Sequence, residues 1–202
     1  MWNQTISIWL KATHFYFVNL ISFLPVFPLV YVPFLGNLLL SVMIRQKIQN
    51  NDVTPFKAVG ECWQYMKTYV ILRLSFLLFP AITSPIPVLG EFMEVTYTRY
   101  AAMLSNVMVF ENVRDNAKCK ARCQALVHGK GVAIRTTYTF PILLVLVFLV
   151  AWTYHVAVSS PNHPILLLIV PFLFLFPLSN AVNTFLYLEL AEELDRDSGK
   201  NS

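Results

Sequence analysis

Hydrophobic positions along this chain gather into long runs. The first run, Thr5 to Leu24, carries Lys11 and His14 in opening turns that suit an interface, and "PVFP" at Pro25 to Pro28 ends it. Further runs extend from Phe27 to Met43, Pro55 to Pro80, Pro87 to Phe110, Thr136 to Ala157 and Pro164 to Leu188. Apolar runs of roughly 18 or more residues mark helices that cross a bilayer. The pattern therefore predicts an all-α polytopic transmembrane bundle of about six spans. Thr5 to Met43 reaches ~58 Å if wholly helical, which allows two short spans across a ~30 Å core or one span and a re-entrant segment.

Two shorter segments are amphipathic instead. In "CKARCQALVHGKG" the residues Cys119, Cys123, Leu126 and Val127 recur at helical spacing as one apolar stripe, while Lys118, Lys120, Arg122 and His128 occupy other faces. Ahead of the third run, Phe56, Val59, Trp63 and Met66 form a stripe opposite Lys57, Glu61 and Gln64, with Thr54 and Pro55 as cap and first turn. Such helices are expected in the headgroup layer, cations towards anionic lipid, and Gly129 and Gly131 let the chain turn into the membrane. A unit of surface helix, rising span, tight outer turn and returning span thus repeats. The returning spans close alike, "SNVMVFEN" at Ser105 to Asn112 and "NTFLYLEL" at Asn183 to Leu190, and "LLSVMIRQ" at Leu39 to Gln46 is a third copy with Arg in place of Glu. Parallel repeats of this kind occur in transporters. The plainer alternative is that every inward-going span ends in an interfacial charge.

Composition points the same way. The 202 residues are 56% hydrophobic and 13% charged, with a mean hydropathy of +0.57, whereas soluble domains carry about 25% charged residues. Twelve prolines are tolerable in membrane helices, where neighbouring groups re-satisfy the freed carbonyls. Arg45, Lys47 and Lys57 flank one connection and Arg114, Lys118, Lys120, Arg122 and Lys130 another, while the turns near Pro25, Thr83 to Val88 and Ser159 to His163 lack Lys and Arg. Cytoplasmic loops hold the Lys/Arg excess, so both termini and both basic loops are expected inside the cell membrane. Trp152 and Tyr154 then mark the outer interface and Tyr138 the inner one. No cleavable signal pattern precedes the first run. Residues 1–190 are expected to form one membrane domain, and 191–202 a polar cytoplasmic tail that frays. The net charge of +4 is accounted for by loops facing anionic inner-leaflet lipid, and nucleic acid is not an expected partner.

The segment "ENVRDNAKCKARCQALVHGKG" resembles a loop of bacterial multi-helix membrane proteins related to the membrane domain of some glycerophosphodiester phosphodiesterases. In that family a Glu closes one span and an Arg-Ser-x-x-Leu-x-x-Gly pattern follows on a basic surface helix. Arg122, Leu126 and Gly129 match it, and Cys123 stands where the family usually has Ser. The tail "TFLYLELAEELDRDSG" is similar to the family's closing Leu-Tyr-x-acid-Leu pattern, through Leu186, Tyr187, Glu189 and Leu190. The resemblance covers the last half of the chain. It implies a six-helix architecture without an assigned activity, and an attached phosphodiesterase domain is not expected.

Charges inside the spans are the first candidates for chemistry. Arg73 and Glu94 both fall ~15 Å from the turn near Ser84, on adjacent antiparallel spans. An isolated charge at that depth costs roughly 2.5 to 3.5 kcal/mol, so the two are expected to pair as a structural clamp, while Arg99 snorkels towards the inner face. Cys119, Cys123 and His128, with Cys62 nearby, have ligand chemistry for zinc but lack a finger spacing, so packing or lipid contact is the expectation ahead of palmitoylation or metal. The cysteines lie on the reducing side, which disfavours disulfides. Glu91, Glu94, His155 and His163 approach one outer face with the chemistry of a cation site. Asn19, Asn106, Asn180 and Asn183 are expected to donate hydrogen bonds between helices. No hydrolase elbow, zincin, Walker or dinucleotide motif occurs, and no cofactor is called for. The leading expectation is a non-enzymatic membrane component contacting lipids or partner membrane proteins. A small-solute transporter or channel, and an accessory of lipid metabolism, are the alternatives.

Overall fold

The computed structural model describes residues 2–26, 34–49, 54–83, 100–128 and 164–199, together with positions 29, 32, 85, 86, 151, 152 and 155. Every regular element among them is helical: α1 Trp2–Val18, α2 Leu20–Phe23, a 3-10 turn Leu24–Val26, α3 Leu35–Ile48, α4 Pro55–Thr83, α5 Tyr100–Phe110, α6 Asn116–Val127 and α7 Pro164–Gly199. Among the described residues, α4 is the one helix long and apolar enough to cross a membrane.

Three boundaries differ from the sequence expectation. The first run breaks at Asn19, a turn before the prolines, where the Asn19 side chain donates to the Phe15 carbonyl (2.8 Å). That local bond competes with continuation of the helix. Helix α3 begins at Leu35, after a left-handed Phe34 (φ 65°), and runs on past Met43 to Ile48. Its 14 residues give ~21 Å, short of a full crossing. At the other end, α7 continues through residues 191–199 as helix, where fraying was expected. Arg196 pairs with Glu192 one turn away (2.7 Å), Gln4 bonds Glu193 (3.2 Å) and Arg122 reaches Asp195 (3.2 Å), so the polar tail is tied to α1 and α6.

Burial sorts the helices into two groups. Leu38 to Ile44 of α3 and Met103 to Val109 of α5 are buried without interruption, and Ala181, Val182, Thr184, Leu186 and Tyr187 of α7 join them. These segments form the centre. Around it, α1, α4 and α6 each bury one stripe: Thr5, Ile8, Ala12 and Tyr16; Ala58, Cys62, Tyr65 and Tyr69; Cys119, Cys123, Leu126 and Val127. The stripe on α6 has the predicted positions, and it packs on protein. On α4 the stripe packed on protein is Ala58, Cys62, Tyr65 and Tyr69, and it differs from the apolar stripe of Phe56, Val59, Trp63 and Met66 read from the sequence. Phe56 and Trp63 are 92% and 76% exposed, because the small Ala58 and Cys62 permit closer helix packing and turn the large rings outward.

Candidate functional site

Central helices α3, α5 and α7 meet at a buried polar node. Ser41 Oγ and Thr184 Oγ1 both lie 3.0 Å from Asn106 Oδ1, and each is also 3.0 Å from the carbonyl one turn back, Asn37 and Asn180 respectively. A hydroxyl has one proton, so each divides it between the two acceptors. Asn106, 1% exposed, is thus the acceptor here, where the sequence suggested a donor. Asn19 serves its own helix.

Five residues further along each central helix comes a polar contact to the outer group, ~7.5 Å below the node. On α3, Gln46 Nε2 donates to Glu61 Oε2 (2.9 Å) of α4. Arg45 meets the same carboxylate and donates to the Val109 carbonyl (2.6 Å). Just past the end of α5, Glu111 accepts from Arg122 Nε of α6 at 2.8 and 3.0 Å, and from the Tyr187 hydroxyl at 2.9 Å. On α7, Glu189 pairs with Lys11 of α1 (3.6 Å). The outer partners share a register: Lys11, Glu61 and Arg122 each precede a fully buried small residue, Ala12, Cys62 and Cys123. Node and contacts therefore repeat three times, with α7 closing back onto α1.

Local sequence explains how α6 presents Arg122. Asp115 caps the helix, accepting from the Lys118 amide (2.9 Å), which satisfies one of the donors a helix start leaves open. Asn112 adopts a left-handed conformation (φ 52°), which asparagine tolerates better than most residues, and it accepts from the Tyr65 hydroxyl (2.9 Å). Burial draws the Arg122 pKa down, but hydrogen bonding and charge from Glu111, then Asp195, outweigh it and leave it raised. Burial likewise pushes Cys119 up to about 12, with Glu111 and Asp115 adding to the shift, and raises Cys123. Both thiols are neutral at physiological pH and weak as nucleophiles or ligands. His128 is exposed at the end of α6, so it and the two buried thiols do not assemble a site. Among the described residues no group of three or more His, Cys, Asp or Glu has metal-binding geometry.

Of the remaining residues singled out in the sequence, Leu126 is buried beside the thiols and Arg73 is half-buried on α4. Glu94, Arg99 and Gly129 lie outside the described residues, as do Glu91 and His163, so the Arg73 and Glu94 pair and the outer cation site are not described. Sequence reasoning missed Ser41 and Thr184 as node residues and Arg45 with Glu61 as partners. The recurrence among "LLSVMIRQ", "SNVMVFEN" and "NTFLYLEL" carried the signal, but contacts align Gln46 with Glu111 and Glu189, one residue from the register suggested by Arg45. Compared with known proteins, the chain matches no family model, no curated protein and no solved structure.

Proposed function

We propose that the chain is a six-span integral membrane protein built of three helix-hairpin units, with both termini and the basic connections cytoplasmic, acting as a non-enzymatic component that contacts lipids and partner membrane proteins. The observation that carries this reading is the outward flank of α4. Ile71, Leu74, Leu77, Leu78, Phe79 and Ile82 are all exposed along it, a continuous apolar surface that acyl chains solvate and water does not. The threefold recurrence of node and contact supports the hairpin-unit part, since each central helix is tied to the outer helix of the next unit. Convergence of Glu111, Arg122 and Tyr187 supports the kinship suggested by the resembling membrane-domain family, because residues of its two short motifs meet at one carboxylate. Asn106, enclosed at the node, favours a closed seam over a solute pathway.

Threading is tested with single cysteines at exposed positions of the full chain, the native thiols being buried. Ile86→Cys is expected to react with an impermeant maleimide on intact cells, and Ala125→Cys only after permeabilisation. Labelling of Ala125→Cys from outside, or release of the protein from membranes by alkaline carbonate, refutes the reading.

A further inference from the structure

The outward face of α4 changes character along its length. From Phe56 to Lys67 the exposed residues are Phe56, Lys57, Gly60, Trp63, Gln64 and Lys67; from Ile71 to Ile82 they are apolar apart from the backbone. This is the order of an inner-leaflet boundary, with aromatic and cationic side chains at headgroup level and hydrocarbon contacts above. At that boundary the linker after α5 adds a fixed cation. The Arg114 guanidinium lies 5.5 Å from the centroid of the Tyr65 ring, Nη2 donates to Gln64 Oε1 (2.7 Å), and the Arg114 carbonyl accepts from Thr68 Oγ1 (2.8 Å). Three residues of α4 thus hold Arg114 over one ledge. Lys67, adjacent to Thr68 and one turn from Gln64, shares that ledge, and Trp63 borders it. The neighbouring carboxylates are engaged: Asp115 caps α6 and Glu61 pairs with Arg45.

We propose that this ledge binds the phosphate of an anionic glycerophospholipid of the inner leaflet, with Arg114 as oriented donor, Lys67 as second cation and Trp63 against the glycerol region. An arginine stacked on a ring and fixed by one hydrogen bond retains further donors in a planar fork suited to phosphate oxygens. Net headgroup charge supplies the preference over zwitterionic lipid, at about fivefold per cation, since a basic residue near an anionic surface contributes ~1 kcal/mol. The proposal rests on the membrane reading above and names the lipid that its inner face selects.

The test is native mass spectrometry of the full-length protein in mild detergent, titrated with phosphatidylglycerol or phosphatidylcholine. The wild type is expected to retain phosphatidylglycerol preferentially. Lys67→Gln should weaken that preference about fivefold, and Arg114→Gln with Lys67→Gln on the order of 25-fold, with thermal unfolding in detergent showing that each variant is folded. Lys120→Gln, a cation exposed on α6 outside the ledge, should weaken the preference less than Lys67→Gln does. Equal retention of both lipids by the wild type, or an unchanged preference in the folded double variant, overturns the site. Displacement of phosphatidylglycerol by millimolar inorganic phosphate overturns a lipid in favour of a soluble phosphate ligand. A carbonate-resistant protein without lipid preference loses the site alone, whereas release by carbonate removes the membrane reading beneath it.

Discussion

Removing the Glu111 carboxylate tests whether the contacts below the node hold the helices together or merely decorate their ends. In Glu111→Leu, Arg122 Nε loses acceptors at 2.8 and 3.0 Å and the Tyr187 hydroxyl loses one at 2.9 Å. Arg122 and Glu111 are 27% and 23% exposed at the side chain, too enclosed for water to replace the carboxylate fully. A charge-assisted hydrogen bond contributes roughly 1.5 to 3 kcal/mol and a neutral one about 1, so a loss of about 3 kcal/mol is expected, softened by the Arg122 contact with exposed Asp195. Arg122→Met should cost about 2 kcal/mol, since it leaves the carboxylate with Tyr187. The informative variant is Glu111→Leu with Arg122→Met. Replacing both members of an enclosed pair by apolar groups is often near neutral, so the double variant should lose only the Tyr187 bond, about 1 kcal/mol, which is ~4 kcal/mol less than the two single losses combined. Equilibrium unfolding in detergent micelles, followed by tryptophan fluorescence, measures all four corners of the cycle. Additivity within ~0.5 kcal/mol would refute coupling between α5 and α6 at this position.

At the node, Asn106→Leu should cost only about 1 kcal/mol, because Ser41 and Thr184 keep their carbonyl acceptors, whereas Asn106→Asp places a charge among buried groups and should cost ~2.5 to 3.5 kcal/mol; equal losses in thermal unfolding would argue against an enclosed node. The Lys11 contact is exposed enough (55% at the lysine) that Lys11→Glu or Glu189→Lys should each shift stability by less than ~1 kcal/mol, and the double swap should recover wild-type unfolding. Burial raises the Cys119 pKa from 9.0 to about 12, so its stabilising effect is complete below pH 9 and is lost as pH rises from 9 towards 12. Cys119→Ala should flatten that alkaline decline in a pH series of unfolding midpoints. At pH 8 the native Cys119 should react with iodoacetamide on the order of 10³-fold more slowly than free cysteine.

Helical class, the apolar stripe of α6 and the start of α4 at Pro55 were legible from residue spacing and turn chemistry alone. Those features depend on neighbours within one or two turns, where sequence and structure are nearly the same information. Asn19 shows the first limit, since a side chain bonding back one turn ended α1 before the obvious prolines did. Trp63 shows a second. Its helix is apolar on two sides, and periodicity cannot say which side meets protein and which faces outward; the small Ala58 and Cys62 decided that by allowing close approach. The polar tail shows a third, because Asp195 and Glu193 acquire partners on α6 and α1 that are remote in sequence.

By itself the sequence determined that this chain is helical, that its cations gather in particular connections, and that three of its apolar segments share a polar-to-charged ending. Tertiary structure alone decided that Ser41, Asn106 and Thr184 meet at one node, that Gln46 rather than Arg45 takes the register of Glu111 and Glu189, and that α7 closes onto α1. The division has a physical cause. Burial and helix formation follow from local composition, whereas a hydrogen bond across helices requires two distant segments to agree on rotation and height, and many registers satisfy the same apolar pattern until packing selects one.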